Sequence, residues 1–194
     1  MQKTRYASLL LITASQDTAA HFARMLPAER FGPEYNVCSA LEAPYVIGET
    51  VYDVVVIDDS VLRQTGPELA CTAAANGITN VLLLAEPERY ESISAYAQEH
   101  GFLALQSPVD PSVLKQSLGM MATVADRLRK MEEETANLKA QMDEMRIVNR
   151  AKLILVQQFK MTEKDAHRFI EKNAMDRCVK RRTIAENIIR TYQN

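Results

Sequence analysis

Short apolar runs punctuate the first 110 residues. Ser8–Thr13 (SLLLIT), Asp53–Ile57 (DVVVI) and Val81–Leu84 (VLLL) are continuous rather than alternating, the pattern of strands buried on both faces of a parallel sheet. Tyr35–Ser39 and Phe102–Leu105 read as two further short strands. Between the runs the apolar spacing becomes helical. Ala19, Phe22, Ala23 and Leu26 share one face of a helix that Ser15 can cap. Pro67–Ala75 is helical up to Asn76-Gly77, and Glu88–Glu99 ends at His100-Gly101. Five strands alternating with helices predict an α/β fold built on a doubly wound five-stranded parallel sheet.

The pattern changes at Asp110-Pro111, where a carboxylate N-cap precedes proline at the first helical position. No stop follows until about Lys160, so a rod of roughly 70 Å is expected. Along it Met121, Val124, Leu128, Met131, Thr135, Leu138, Met142 and Met145 alternate spacings of three and four, the seam of a coiled coil. The rod outruns its domain and its stripe needs a partner, so a parallel homodimer is expected. Lys160-Met161 breaks the helix. Thr162 with Asp165, and Thr183 with Glu186, read as capping boxes for two more helices. The apolar faces are Ala151, Ile154 and Leu155, then Ala166, Phe169, Ile170 and Ala174, then Ile184, Ala185, Ile188, Ile189 and Tyr192. They predict a small three-helix bundle in which Tyr192 packs inward. The expected division is 1–110, an α/β domain; 111–149, a dimerising helix; and 150–194, the bundle.

Helix breakers support this division: every proline lies at or before Pro111 and every glycine at or before Gly119. Charge adds more. Residues 146–194 hold twelve Lys or Arg and five Asp or Glu, a balance of +7, whereas residues 1–145 hold eleven and twenty, a balance of −9. The overall −2 therefore hides a basic end suited to a polyanion. No apolar run approaches the ~18 residues of a membrane span, and the first one is too short for a signal peptide. Cys38, Cys71 and Cys178 are far apart and odd in number, which fits a reduced cytoplasmic compartment. His21, His100 and His167 are isolated, so neither a metal nor another cofactor is expected.

Sites in such sheets form at the carboxyl ends of the strands. There DVVVIDDSVLRQTG resembles the receiver domain of two-component response regulators over about residues 6–120. Asp58 falls at the phosphoacceptor position and Gly66 at the glycine eight residues on. The remainder departs from that family's pattern. Thr13-Ala14-Ser15 stands where an acidic pair holds Mg²⁺, Ala85 replaces a hydroxyl residue, and Ser107 replaces the lysine before Pro108. Asp17 and Asp59 add acidity without restoring the pair. Without those charges an aspartyl phosphate lacks compensation, so a pseudo-receiver outside ordinary phosphotransfer is expected. Asp58-Asp59 also reads as a pair of strand-end acids capping the next loop.

The spacing Ala151-Lys152, Ala166, Ala174-Met175 and Ala185, with Arg177 between, resembles the ANTAR domain over residues 146–192; Leu153 departs from it where glycine is common. The resemblance implies an RNA-binding transcription antiterminator acting as a dimer on paired hairpins with small loops. Arg150, Lys152, Arg168, Lys172, Arg177, Lys180, Arg181 and Arg182 are the candidate RNA-binding residues. A DNA-binding regulator of the response-regulator type and a partner-controlled dimerisation scaffold are the alternatives. A regulatory protein or small ligand at the receiver-like domain would replace phosphorylation as input. No nucleophile–base pair or phosphate loop is visible, so an enzyme is not expected.

Overall fold

The computed structural model describes residues 6–13, 16–32, 35–62 and 65–192, and Ser15, the expected helix cap, lies outside them. The chain forms two units, residues 1–130 and 131–194. In the first, strands β1 (Leu9–Ile12), β2 (Asn36–Cys38), β3 (Val54–Asp58), β4 (Asn80–Ala85) and β5 (Leu103–Gln106) form one sheet. Its order is β2-β1-β3-β4-β5. All neighbours are parallel, with Leu10 beside Val55 and Val55 beside Val81.

The continuous apolar runs follow from this order, because β1, β3 and β4 are covered on both sides. One face carries Leu10, Ile12, Val55, Ile57, Val81 and Leu83 into a single core. That core is completed by α3 (Ala43–Glu49), α5 (Gly66–Ala74) and α6 (Tyr90–His100). The other face carries Leu9, Leu11, Val54, Val56 and Leu82 against α1 (Gln16–Ala23), α2 (Ala28–Phe31) and the first turns of α7 (Pro111–Phe159). Each such aliphatic side chain gains about 1.5–3 kcal/mol on leaving water.

Three short helices were not expected: α2, α3 and α4 (Asp59–Leu62). In α3 the sequence APYVIGE contains Pro44 and Gly48, and Tyr45 projects into solvent, so no helical apolar period marks it. α1 stops at Ala23 rather than Leu26. The N–H groups of Met25 and Leu26 bond the carbonyls of Phe22 and Ala23 in tight turns, since Pro27 disfavours helix in the residue before it. α6 ends as expected at Gly101, whose left-handed φ of 75° lets its N–H reach the Ala97 carbonyl. Asp110 caps α7 by accepting the Ser112 N–H at 2.7 Å.

The second unit packs the end of α7 against α8 (Glu163–Asp176) and α9 (Arg181–Tyr192). Ala151, Ala166 and Ala185 are completely buried, with Ile154, Leu155, Ile170, Ala174, Ile184 and Ile188 around them. Small side chains at these contacts let the helix axes approach closely. Lys160, at a φ of 57°, ends α7. Thr162 then caps α8 by accepting the Asp165 N–H at 3.1 Å. The Asp165 carboxylate accepts the Thr162 hydroxyl at 2.7 Å instead of reaching a backbone N–H. The second expected capping box does not form. α9 begins two residues before Thr183, and Glu186 accepts from Arg182 instead. Phe169 and Tyr192, expected inside, are each 40 % exposed.

Candidate nucleic-acid interface

The buried face of α8, Ala166, Ile170 and Ala174, fixes the direction of its opposite face. Lys164, Arg168 and Lys172 recur there at intervals of four and are exposed, so they form one basic stripe. Lys164 was not among the candidates, although the same spacing would have found it. Arg177 sits at the C-cap of α8 and Lys180 just before α9, both exposed. Arg150 is exposed on α7, one residue before buried Ala151. Among the described residues, no carboxylate pairs with Arg150, Arg168, Lys172, Arg177 or Lys180.

The other three candidates are engaged. Lys152 is largely covered and donates to Glu163 Oε1 at 2.9 Å, tying α7 to the first turn of α8. That bond and charge hold the Glu163 carboxyl below its ordinary range. Arg181 lies 3.6 Å from both Glu144 and Glu171. Arg182 Nε donates to Glu186 Oε1 at 2.7 Å, which pushes its guanidinium pKa higher still. The two arginine pairs are solvent-exposed, where ion pairs contribute little, so a phosphate can displace their carboxylates. Lys152 has less freedom and acts mainly as a brace. Leu153 points outward, so the departure from glycine there leaves the bundle core intact.

Two hollows lie beside these groups. An open groove of about 620 Å³ runs along Glu171, Met175, Cys178, Val179 and Arg181, with Met175 77 % exposed. A smaller cavity of about 290 Å³ is walled by Phe159, Phe169, Tyr192, Asn173, Asn187 and Arg177. Phe159 and Tyr192 meet edge to face there, with centroids 5.1 Å apart.

At the carboxyl end of β3, Asp58 is half-buried. It accepts the Ser60 hydroxyl at 2.6 Å, the Ser60 N–H at 3.2 Å and the Thr13 hydroxyl at 3.4 Å. Asp59 is fully buried, and Arg89, from the segment after β4, donates to its Oδ2 at 2.7 Å. Its Oδ1 has no hydrogen-bond partner among the described residues and lies where a side chain on Gly66 would be. Burial pushes the Asp59 carboxyl up, against the pull of Arg89. These residues do not fit a magnesium ion, since Asp58 stands with hydroxyls and Asp59 is already neutralised by Arg89. No group of three or more potential ligands occurs among the described residues. The Arg89–Asp59 pair was not foreseen, because partners thirty residues apart leave no local pattern.

The seam on α7 divides. Met121 is 3 % exposed and belongs to the core of the first unit, so it is withdrawn from any dimer contact. Leu128 is half-buried and shares a small cavity with Met121, Val81 and Phe102. Val124, Met131, Leu138, Met142 and Met145 are exposed, and residues 131–143 have no buried side chain at all.

Residues 136–189 match the ANTAR domain, beginning ten residues before the stretch 146–192 noted above. Among characterised proteins, the chain is 27% identical over 140 residues to the transcriptional regulatory protein PdtaR of Mycobacterium tuberculosis, covering 72% of this chain and 68% of that protein. Among solved structures, an adenylate cyclase from Rhodopirellula baltica aligns with a TM-score of 0.56 at 15% identity, over 68% of this chain and 98% of its own. The signal receiver domain of an HD domain-containing protein from Pseudomonas fluorescens Pf-5 aligns with a TM-score of 0.52 at 18% identity, over 69% and 96%. The receiver domain of a putative LuxO repressor from Vibrio parahaemolyticus gives 0.52 at 16% identity, over 68% and 98%. The chain therefore carries an ANTAR domain at residues 136–189, preceded in sequence by a receiver-like fold.

Proposed function

We propose that this protein is a dimeric, RNA-binding transcription antiterminator of the response-regulator type, and a binding protein rather than an enzyme. The observation that carries the reading is one coincidence. Five exposed basic residues that form no ion pair among the described residues, Arg150, Arg168, Lys172, Arg177 and Lys180, fall within the ANTAR match. Their charge suits phosphates, and bases in small hairpin loops are unstacked and accessible where bases in A-form stems are not. The exposed seam positions Val124, Met131, Leu138, Met142 and Met145 support a second copy along α7, which would present two RNA sites at once. The receiver-like unit then serves as an input that a protein partner or small ligand occupies, because its Asp58 edge lacks the charges that stabilise an aspartyl phosphate. The class of the PdtaR relative, a transcriptional regulatory protein, agrees with this reading. No helix among the described residues is long and apolar enough to cross a membrane, and we place the protein in the cytoplasm.

The test is a titration of the full chain against a two-hairpin RNA, its single-hairpin halves and duplex DNA. The expected result is two protomers per two-hairpin RNA and weaker binding to either half. Tighter binding to duplex DNA would overturn the reading in favour of a DNA-binding regulator.

A further inference from the structure

We infer that the cavity between Phe159, Phe169 and Tyr192 is a socket for one unpaired nucleobase of the bound RNA. This inference rests on the RNA-binding reading and names the place where that reading acquires base contact. Three large aromatic side chains in a basic three-helix unit would ordinarily be buried, yet Phe159 is 46 % and Phe169 and Tyr192 each 40 % exposed. All three line one hollow instead of being scattered. Its volume of about 290 Å³ lies at the lower limit of small-ligand sites, roughly 300–1,000 Å³, so it suits a single ring system and not a helix or a peptide. The floor is apolar, formed by Leu155, Ile184 and Ile188.

The polar groups at this cavity are those that read base edges. Asn173 donates through its amide nitrogen to the Phe169 carbonyl at 2.8 Å, which leaves its carboxamide oxygen as an acceptor. Asn187 receives Arg190 on its oxygen at 3.0 Å, which leaves its amide nitrogen as a donor. A donor and an acceptor beside aromatic walls match the edge and the face of a heterocyclic base. Arg177 is exposed, forms no ion pair among the described residues, and lines the same cavity. It can meet the phosphate of the nucleotide whose base enters. A second protein chain inserting an apolar side chain would need none of these three polar groups.

The experiment uses the full chain and a two-hairpin RNA selected against it from a pool with randomised loops. Each loop nucleotide is made abasic in turn. In the parent protein, one position should weaken binding by about 5- to 150-fold, the range for stacking a base on aromatic side chains. Thr191→Trp, at an exposed position lining the cavity, fills it without removing any core group. In that variant the same abasic change should cost less than about twofold, within the scatter of such cycles. A photoreactive uracil at the sensitive position should also crosslink the parent protein to Phe159, Phe169 or Tyr192. This readout does not depend on any variant folding. If the chain binds selected RNA but abasic costs are equal in both proteins, or crosslinks map only outside these aromatics, the socket is overturned and the RNA reading stands. If the pool yields no binding RNA, both fall.

Discussion

Replacing Arg89 by leucine gives a direct measure of what the buried Asp59–Arg89 pair contributes to the receiver-like unit. Asp59 is fully buried, one of its oxygens has no partner among the described residues, and Arg89 supplies the other at 2.7 Å. Removing one member of a buried pair typically costs about 3–5 kcal/mol, because the remaining charge stays desolvated. Arg89 itself is about one-third exposed, so water already screens part of the pair and the lower end, about 3 kcal/mol, is expected. That is a large share of a typical stability of about 5–15 kcal/mol. Native-state hydrogen exchange of β3, followed by mass spectrometry, isolates this unit from the helical bundle. A loss of about 3 kcal/mol lowers β3 protection by about a hundredfold. The pH dependence has a definite sign. Burial raises the Asp59 carboxyl in the folded protein, so between its unfolded and folded values the native state binds more protons and stability falls as pH rises. Arg89 pulls that value down, so the variant should show the steeper loss as pH rises above the ordinary aspartate value of about 4. Asp59→Asn introduced on top of Arg89→Leu should restore most of the protection and flatten the pH response. Protection in Arg89→Leu within about threefold of the parent at every pH would refute the argument.

Gly66→Ala would drive a methyl group into Asp59 Oδ1 and to 3.4 Å from Leu83 Cδ1. Asp59 is held by Arg89 and has little room to move, so a loss of about 1–3 kcal/mol is expected in β3 exchange; parent-like protection would show that the site yields. If about six basic groups meet phosphates, RNA affinity should fall by about two to three decades between roughly 50 and 200 mM salt. Arg168→Ala should lower that log–log slope by about one unit, whereas Arg182→Ala, whose charge already meets Glu186, should lower it less; equal effects would contradict the pairing. Leu138→Asp places a carboxylate in the exposed seam of α7 and should yield monomers in sedimentation at micromolar concentration, and an undisturbed dimer would exclude that seam.

How much of this the sequence disclosed depended on the range of each interaction. The parallel sheet was legible because SLLLIT, DVVVI and VLLL can be that apolar only with cover on both faces. The bounds of α7 were legible because Asp110-Pro111 and Lys160 act locally on the backbone. α3 was hidden because Pro44, Gly48 and an outward Tyr45 break helical periodicity. The Thr183 pattern misled because Val179 already bonds the Ala174 carbonyl and Thr183 the Lys180 carbonyl, which starts α9 early. In the basic end, charge revealed the candidates but not their engagement, since the partners of Lys152 and Arg181 come from other helices. Met121 fits the heptad as well as its neighbours do, and only the fold reveals that β1 and β3 already share its core.

The shortness of the outer strands has a consequence for the protein's lifetime. β2 has three residues and β5 four, and they flank the three strands richest in branched aliphatics. Segments such as VVVI and VLLL, uncharged and β-prone, are the kind that stack into fibrils once exposed. In the native sheet they are interior, and the short margins give a second chain little backbone to pair with. Access to them then requires opening the whole sheet. The persistence of this protein in solution is therefore governed by how often that unit opens, more than by its mean stability.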